Sequence, residues 1–236
     1  PLVRSLRLVK SAAEIEKLRH ICAIGSRTFA RVPEIAHEGQ PFEDLLRAFR
    51  REALAQGADD VPYLVGGAGP GGYSDVISPP TSRPLRAGDI VMLDTGSTWD
   101  GYFCDFDRNY AIGPVAPETA QAHASLYAAT DLALEKLRPG MTAADAHRIL
   151  CEGLRAHGAT PGGGRLGHGL GVTLTEWPSF TPKDQTVLRA GMVLTLEPGA
   201  EIATGRILVH EENIVLRDSG PELLSTRAPA ELPVLE

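Results

Sequence analysis

The sequence contains an internal repeat, and this repeat limits the folds that are open to the chain. LRAGDIVMLDTG at residues 85–96 returns as LRAGMVLTLEPG at residues 188–199, each with an acidic residue two positions before its last glycine. Residues 38–58 and 139–159 also match, and their offset of 101 residues nearly equals the 103 of the first pair. LRAG alone is also a generic signal for a turn into a strand, but two near-equal offsets favour a duplicated half.

The predicted elements follow the same order in both halves. Capping-box patterns begin helices after Ser11 and Thr142, and apolar residues then recur at helical spacing. The first half is predicted to have helices at 12 to the mid-30s and 42–56, strands at 61–65, 89–95 and 101–112, and a loop at 66–84. The second is predicted to have helices at 117–137 and 142–157, and strands at 170–175, 192–197 and 207–216.

Two such halves, about 11–112 and 116–218, can pack around a pseudo-twofold axis as one domain over residues 1–236. The helices then cover one face of a joint, curved antiparallel sheet, which is an α+β arrangement. We expect the duplicated strands to lie side by side near the axis.

Composition excludes several classes of partner. The chain is 43% hydrophobic and 22% charged, and its net charge is −7, so it lacks the basic footprint that nucleic acids and anionic membranes require. No apolar run approaches the length of about 20 residues that a membrane span needs. The three cysteines form no CxxC pattern and are predicted to be buried free thiols in a reducing, cytoplasmic location. GAGPGG at 67–72 contains GxGxxG, but no helix can open after it, which argues against a dinucleotide site.

Each half offers a pair of acids across a β-ribbon. Asp105 follows Asp94 by 11 residues around a Trp99-Asp-Gly turn, and Glu211 follows Glu197 by 14 residues. Two carboxylates about 4 Å apart repel by roughly 4 kcal/mol at an effective dielectric of 20. Proton sharing alone does not comfortably relieve four clustered acids, so a cation is the expected partner. Glu212 is expected to point to solvent instead.

A histidine completes the candidate site. His168 lies between Gly167 and Gly169 in the stretch GHGLG, so a ligand or a backbone segment can approach it closely. Four carboxylates and one imidazole carry a charge of about −4, which two divalent cations balance. Oxygen-rich ligands with one nitrogen suit manganese, cobalt, iron or zinc, and two such ions about 3.5–4 Å apart can activate a water.

The set of motifs LDTG, DxxR, GHGLG, EPG and EEN resembles that of the pita-bread metallopeptidases, over about residues 11–218. TEWP and the VHEENIV ending are most similar to the Xaa-Pro aminopeptidase, prolidase and creatinase-like branch. Members of this branch often carry an N-terminal domain, which is absent from this chain. The ligands that this resemblance implies are Asp94, Asp105, His168, Glu197 and Glu211.

The resemblance also implies a role for each ligand. Asp94 would bind one metal, Asp105 and Glu211 would bridge two, and His168 and Glu197 would bind the other. Glu197 would also act as general base in the hydrolysis of an amide bond. Arg108, the arginine of DxxR, is expected to pair with acids near the metals. A homodimer is a further expectation from the family.

The sequence departs from the family at two substrate-facing histidines. One is expected before the first Asp, but residues 73–84 contain no histidine, and the position seven residues after His168 holds Thr175. Thr175 can donate a hydrogen bond but carries no charge. Tyr73, Asp75 and His210 are candidate substitutes. His123 and the other histidines of the helical stretches are expected at the surface.

Three functions therefore stay open. The first is a dinuclear metallohydrolase, an aminopeptidase or dipeptidase with a preference for Xaa-Pro peptides. The second is a non-peptidase enzyme that acts on a small amide, amidine or zwitterionic metabolite. The third is a catalytically inactive binding module.

Overall fold

The computed structural model describes residues 2–77 and 79–235. In this part of the chain, helices precede strands in both halves. The helices are α1 (Leu2–Arg7), α2 (Ala12–Ala30), α3 (Val32–Ile35), α4 (Phe42–Ala55), α5 (Pro117–Lys136) and α6 (Ala143–Ala156). The strands are β1 (Asp60–Pro70), β2 (Asp89–Trp99), β3 (Tyr102–Phe103), β4 (Phe106–Ile112), β5 (Thr160–Pro161), β6 (His168–Gly169), β7 (Glu176–Ser179), β8 (Val193–Leu196), β9 (Gly199–Ala203), β10 (Arg206–Val209), β11 (Glu212–Arg217), β12 (Gly220–Leu223) and β13 (Val234–Leu235).

The predicted helix starts are confirmed by reciprocal capping boxes. The Ser11 hydroxyl accepts from the backbone of Glu14, whose carboxylate accepts from the Ser11 N–H, and Thr142 is capped in the same way by Asp145. α2 is shorter than predicted and ends at Ala30. A separate short helix, α3, begins at Val32 with Pro33 in its first turn, because a proline is compatible with the first turn of a helix but not with its interior.

The strands form three sheets. One has the order β1-β2-β4-β13 with β3 on β2, a second has the order β12-β11-β8-β6-β7, and a small third has the order β10-β9-β5. The pairs are antiparallel except that of β13 with β4. The prediction that the duplicated strands lie side by side is wrong: β2 pairs with β1 and β4, and β8 pairs with β11 and β6. Each copy pairs with strands of its own half, as strands that follow one another in the chain commonly do.

Two segments differ from their predicted state. The glycine-rich segment 66–70, predicted as a loop, continues β1 against β2. It requires glycine, since a Cβ at Gly66 would lie 2.2 Å from the Met92 carbonyl oxygen. Residues 170–175, predicted as a strand, form bends before β7. They fold around Glu176, whose carboxylate accepts from the N–H groups of Val172 and Thr173.

Helices cover the sheets and enclose the core, which confirms the predicted α+β class. One buried cluster joins α2 and α4 to β2 and β4, and another joins α6 to β8 and β11. The three cysteines are free and buried, as predicted. None of the helices in the described ranges is long and apolar enough to cross a membrane. The prediction for His123 is wrong, because its side chain is buried between α5 and the tail near Pro229.

Candidate metal centre

The register of the first hairpin decides which acids face each other. Trp99 pairs with Tyr102 across the predicted turn, where Asp100 and Gly101 both have positive φ, 48° and 79°, as a type I′ turn requires. The same register puts Asp94 opposite Asp107. The prediction that Asp94 and Asp105 lie opposite each other is therefore corrected. Asp105 lies two positions before Asp107, in the break between β3 and β4. It is therefore a diagonal neighbour of Asp94 on the same face of the sheet.

Asp107 is an acid of the site that sequence reasoning missed. Its side chain is buried, and Oδ1 has no hydrogen-bond partner. Burial and then the charge of Asp94 raise the pKa of Asp107 well above its usual range. Counting the ladder strictly from a two-residue turn would have placed Asp107 opposite Asp94.

The second half supplies its acids where strands end. Leu196, the last residue of β8, pairs with Glu212, the first of β11. Glu197 and Glu211 occupy the next positions outward along the same two strands, as the cross-strand prediction expected. Glu211 is buried, whereas the Glu197 side chain keeps 25% of its exposure and lies 3.6 Å from Arg165.

Ligand atoms of three of the five predicted ligands come together from both halves. His168 Nε2 lies 3.3 Å from Asp105 Oδ2, and one ligand atom each of Asp105, His168 and Glu211 lies within 4.8 Å of the others. Burial and the charges of Asp105 and Glu197 raise the pKa of Asp94, so Asp94 and Glu197 belong to the same cluster. Burial raises the pKa of Glu211 above all, with Asp105 and Glu197 adding to it. The individual roles of these residues stay predictions.

His168 has the tautomer that a ligand needs. Its Nδ1 lies 2.8 Å from the Gly169 carbonyl oxygen, which can only accept, so Nδ1 carries the proton. Nε2 therefore presents its lone pair towards Asp105. Burial, together with the positive charge of Arg165, lowers the pKa of His168 and keeps the imidazole neutral. A second hydrogen bond, from the His168 N–H to Thr195 Oγ1 at 3.1 Å, holds the backbone in place.

The donor set fits divalent cations. Among the residues that the structure describes, four carboxylate oxygens are buried without a hydrogen-bond partner, and they belong to Asp94, Asp107, Glu197 and Glu211. Buried polar atoms are normally hydrogen-bonded, and a cluster of such carboxylate oxygens next to a neutral imidazole matches the ligand preference of manganese, cobalt, iron or zinc. Bound ions would neutralise the acids and lower the pKa of a coordinated water.

Asn213 joins the two halves at the centre of the site. Its side-chain oxygen accepts from the Asp105 N–H at 2.9 Å, and its side-chain amide donates to the Asp105 carbonyl oxygen. The Asn213 N–H in turn donates to Ser225 Oγ at 3.1 Å. Asn213, the asparagine of the EEN motif, lies two positions after the predicted ligand Glu211. It therefore fixes the backbone of a second predicted ligand, Asp105, which comes from the other half.

A buried ion-pair network lies directly behind the acids. Arg108 donates to the Glu211 carbonyl oxygen at 2.8 Å and to the Glu212 carboxylate at 2.9 Å. Glu212 is fully buried, so the expectation that it points to solvent is wrong. Burial alone would raise the pKa of Glu212, but the charge of Arg108 and a hydrogen bond from Ser225 help to hold it well below its usual range. The expected pairing of Arg108 with a nearby acid is confirmed.

Thr175 lies outside the acid cluster. It is exposed and lines a neighbouring cleft together with Arg165. Tyr73 is buried, and its hydroxyl donates to Asn109 Oδ1 and accepts from the Val209 N–H. The Asp75 carboxylate accepts from the Ile77 N–H. His210 is buried beside Arg227, at 2.5 Å from its guanidinium.

Tyr63 is a second residue that sequence reasoning missed. It lies on β1 next to β2, and its hydroxyl lies near the Asp94 carboxylate. Burial and then the charge of Asp94 raise the pKa of Tyr63, so the phenol keeps its proton. Tyr63 precedes all the predicted ligands in the chain and belongs to no motif. Only the pairing of β1 with β2 brings it to the cluster.

Comparison with known proteins finds one matching family and several named relatives. Residues 16–218 match the sequence profile of metallopeptidase family M24. The chain is 35% identical to the probable dipeptidase PepE of Mycobacterium tuberculosis over 99% of its length and 62% of the relative's. It is 27% identical to the Xaa-Pro dipeptidase of Pyrococcus furiosus, over 95% of the chain and 65% of that protein.

Solved structures show the same fold. Dipeptidase PepE from Mycobacterium ulcerans superposes with a TM-score of 0.92 at 33% identity, over 99% of this chain and 63% of that one. The X-Pro aminopeptidase from Thermotoga maritima superposes with a TM-score of 0.92 at 26% identity, over 99% and 66%. The chain thus spans slightly less than two thirds of the length of these relatives. The pita-bread fold is confirmed, and the chain belongs to metallopeptidase family M24.

Proposed function

We propose that this chain is the catalytic part of a metal-dependent peptidase-type hydrolase that cleaves an amide bond in small peptides. The observation that carries the proposal is the convergence of acids from both halves on the neutral His168, where four buried carboxylate oxygens of the described residues lack a hydrogen-bond partner. The relatives named dipeptidase and Xaa-Pro dipeptidase make Xaa-Pro dipeptides the first substrates to test.

The proposed roles follow from position and exposure. Asp94 would hold one cation, Asp105 and Glu211 would lie between two, and His168 and Glu197 would hold the other. Glu197 is the best candidate for general base, because its side chain keeps 25% of its exposure and lies within reach of water and substrate. Tyr63 keeps its proton and can donate a hydrogen bond near the same cluster.

The test compares Glu197→Gln with the parent in the full-length protein. After loading with manganese, cobalt, zinc or iron, both proteins are assayed on a panel of Xaa-Pro and matched Xaa-Ala dipeptides. Loss of the general base should lower kcat by about 10²- to 10⁴-fold. The matched control is Glu201→Gln, an exposed glutamate on β9, which should keep the parental rate. Parental activity in Glu197→Gln would contradict the proposed role.

A small zwitterionic amide or amidine is the second candidate substrate. This candidate is favoured because, among the residues that the structure describes, the acid cluster contains His168 but no second histidine. Thr175 and His210 lie outside the cluster. If the full-length protein binds two equivalents of metal but turns over no dipeptide of the panel, this candidate replaces the first. If it binds no metal, the inactive binding module replaces both.

The oligomeric state and location stay predictions as well. We propose a homodimer, to be measured by light scattering on the full-length protein. The three buried, free cysteines are consistent with the proposed cytoplasmic location.

A further inference from the structure

A cavity of about 330 Å³ adjoins the buried ion-pair network behind the candidate metal centre. Arg108 and Arg227 of that network line it, and its described lining includes none of the five predicted ligands. The other walls come from the end of α2, from β4, from α5 and from the tail after β12. A cavity of about 150 Å³ is enough for one benzene ring, so this one can hold a small cyclic molecule.

Most of the wall is apolar and rigid. Phe29 is buried near the end of α2, and Pro33, Pro229 and Pro233 line the same cavity. A proline ring is fixed in shape and carries no N–H group, and proline rings pack well against aromatic rings, as they do when proline-rich segments are recognised. The wall therefore favours a flat aromatic ring over a flexible chain.

The charged groups at the cavity balance one another. Arg108 pairs with Glu212 at 2.9 Å, and Arg227 pairs with Glu212 at 3.2 Å and with Asp131 at 2.9 Å. Two arginines thus face two carboxylates. A ligand that brought a charge of its own would have to be desolvated without a partner for that charge, which is costly. The ligand of this cavity should therefore be neutral.

His123 brings an unused hydrogen-bond acceptor to the cavity. Its side chain on α5 keeps 2% of its exposure and lines the cavity. Nε2 lies 3.1 Å from the Pro229 carbonyl oxygen, which can only accept, so Nε2 carries the proton and Nδ1 holds a lone pair. Burial above all lowers the pKa of His123, and the charge of Arg227 adds to this effect, so the imidazole stays neutral.

One acceptor and one donor are thus left at the cavity. In the described part of the chain, His123 Nδ1 and Arg227 Nε are both buried without a hydrogen-bond partner. Buried polar atoms are normally hydrogen-bonded. A hydroxyl group matches this pair, because it donates one hydrogen bond and accepts others.

We propose that this cavity is a binding site for a small neutral phenol, a compound with one aromatic ring and one hydroxyl group. The ring lies against Phe29 and the prolines, while the hydroxyl donates to His123 Nδ1 and accepts from the Arg227 Nε N–H. The site is separate from the site of hydrolysis, since the predicted ligands do not line it. The inference goes beyond the proposed function and does not depend on it.

The first test compares three one-ring compounds by ligand-observed NMR titration of the full-length protein. Phenol should bind with a Kd below about 1 mM. Benzene has the same ring without the hydroxyl and should bind about 3- to 10-fold more weakly, because it leaves His123 Nδ1 without a partner. Benzoate carries a charge and should bind at least about 10-fold more weakly than phenol. Phenol that binds no more tightly than benzene or benzoate would overturn the proposal.

Substitutions locate the site on the protein. Ala30 is exposed at the end of α2 and lines the cavity, so Ala30→Phe should fill part of the space and weaken phenol binding at least about 10-fold. The matched control is Ala13→Phe, at an exposed alanine near the start of the same helix, which should keep the parental Kd. His123→Phe should bring the Kd of phenol to that of benzene. If Ala30→Phe binds phenol as tightly as the parent does, the cavity is not the site and the proposal fails.

The last test separates this cavity from the metal centre. A phenol oxygen can also bind a metal ion, so the titration is carried out once with manganese and once with chelator. The Kd of phenol should be the same in both conditions. Binding that occurs only with manganese would assign phenol to the metal centre and overturn the inference. None of these readouts uses dipeptide hydrolysis, so failure of the proposed function is seen separately.

Discussion

Asp105→Asn is expected to have effects of opposite sign with and without metal. The substitution removes one negative charge but keeps the shape of the side chain. It also leaves the contacts with Asn213 intact, because those use the backbone N–H and carbonyl of Asp105. The change therefore tests charge and ligation rather than folding.

The metal-bound protein should lose much of its stabilisation. A carboxylate about 4 Å from a unit charge contributes roughly 4 kcal/mol at an effective dielectric of 20, so metal affinity should fall by about 10²-fold or more. At a metal concentration of about 1,000 Kd the parent gains about 4 kcal/mol, or roughly 8–16 °C in Tm for a chain of this size. The variant should gain only about 1.4 kcal/mol, or roughly 3–6 °C.

The metal-free protein should respond in the other direction. Burial and the charge of Glu197 raise the pKa of Asp105 in the folded state, so an ionised Asp105 destabilises that state at neutral pH. In a chelator, Asp105→Asn should therefore melt at the parental temperature or above it.

The assay is differential scanning fluorimetry of the full-length protein with a manganese series and with chelator, together with metal analysis. Asp218→Asn, an exposed aspartate after β11, is the control and should behave as the parent in both conditions. The reasoning is refuted if Asp105→Asn binds as much metal as the parent, or if it melts several degrees lower than the parent in chelator.

Three other predictions concern the same site. Metal binding should release protons, because burial raises the pKa values of carboxylates such as Glu211 in the metal-free state. The metal-induced rise in Tm should then grow from about pH 5 to about pH 8. Gly167→Ala should lower the free energy of unfolding, measured in urea, by about 1–3 kcal/mol. The reason is that φ at Gly167 is +143° and an added Cβ would meet the Thr195 carbonyl oxygen. The control Gly163→Ala has open space around the added Cβ and should leave the free energy of unfolding unchanged. Arg108→Met leaves Glu212 buried without its main cation and should cost about 3–5 kcal/mol by the same measurement, with loss of bound metal.

The kinds of residue at the site could be predicted from the sequence because their signals are local. An acid at the end of an apolar strand and a histidine between glycines both stand out without any knowledge of the fold. The repeat then required that each half contribute its own set. For the same reason the capping boxes at Ser11 and Thr142 were found, since all their atoms lie within four residues.

The partners of these residues depended on register and on long-range contacts. A difference of two positions along β4 decided that Asp107, and not Asp105, faces Asp94. Glu212 looked like a solvent-exposed neighbour of Glu211 until Arg108, more than 100 residues away, was found to neutralise it. Such effects act through space at distances that chain spacing does not encode.

The sequence by itself determined the α+β class and the helix starts, and it supplied the candidate ligand residues. Only the tertiary structure decided which strands pair, which acids are buried without a hydrogen-bond partner, and that Thr175 lies outside the acid cluster. The physical reason is that capping, turns and hydrophobic periodicity act over a few residues, whereas burial and electrostatic neutralisation depend on whatever the folded chain packs against each side chain.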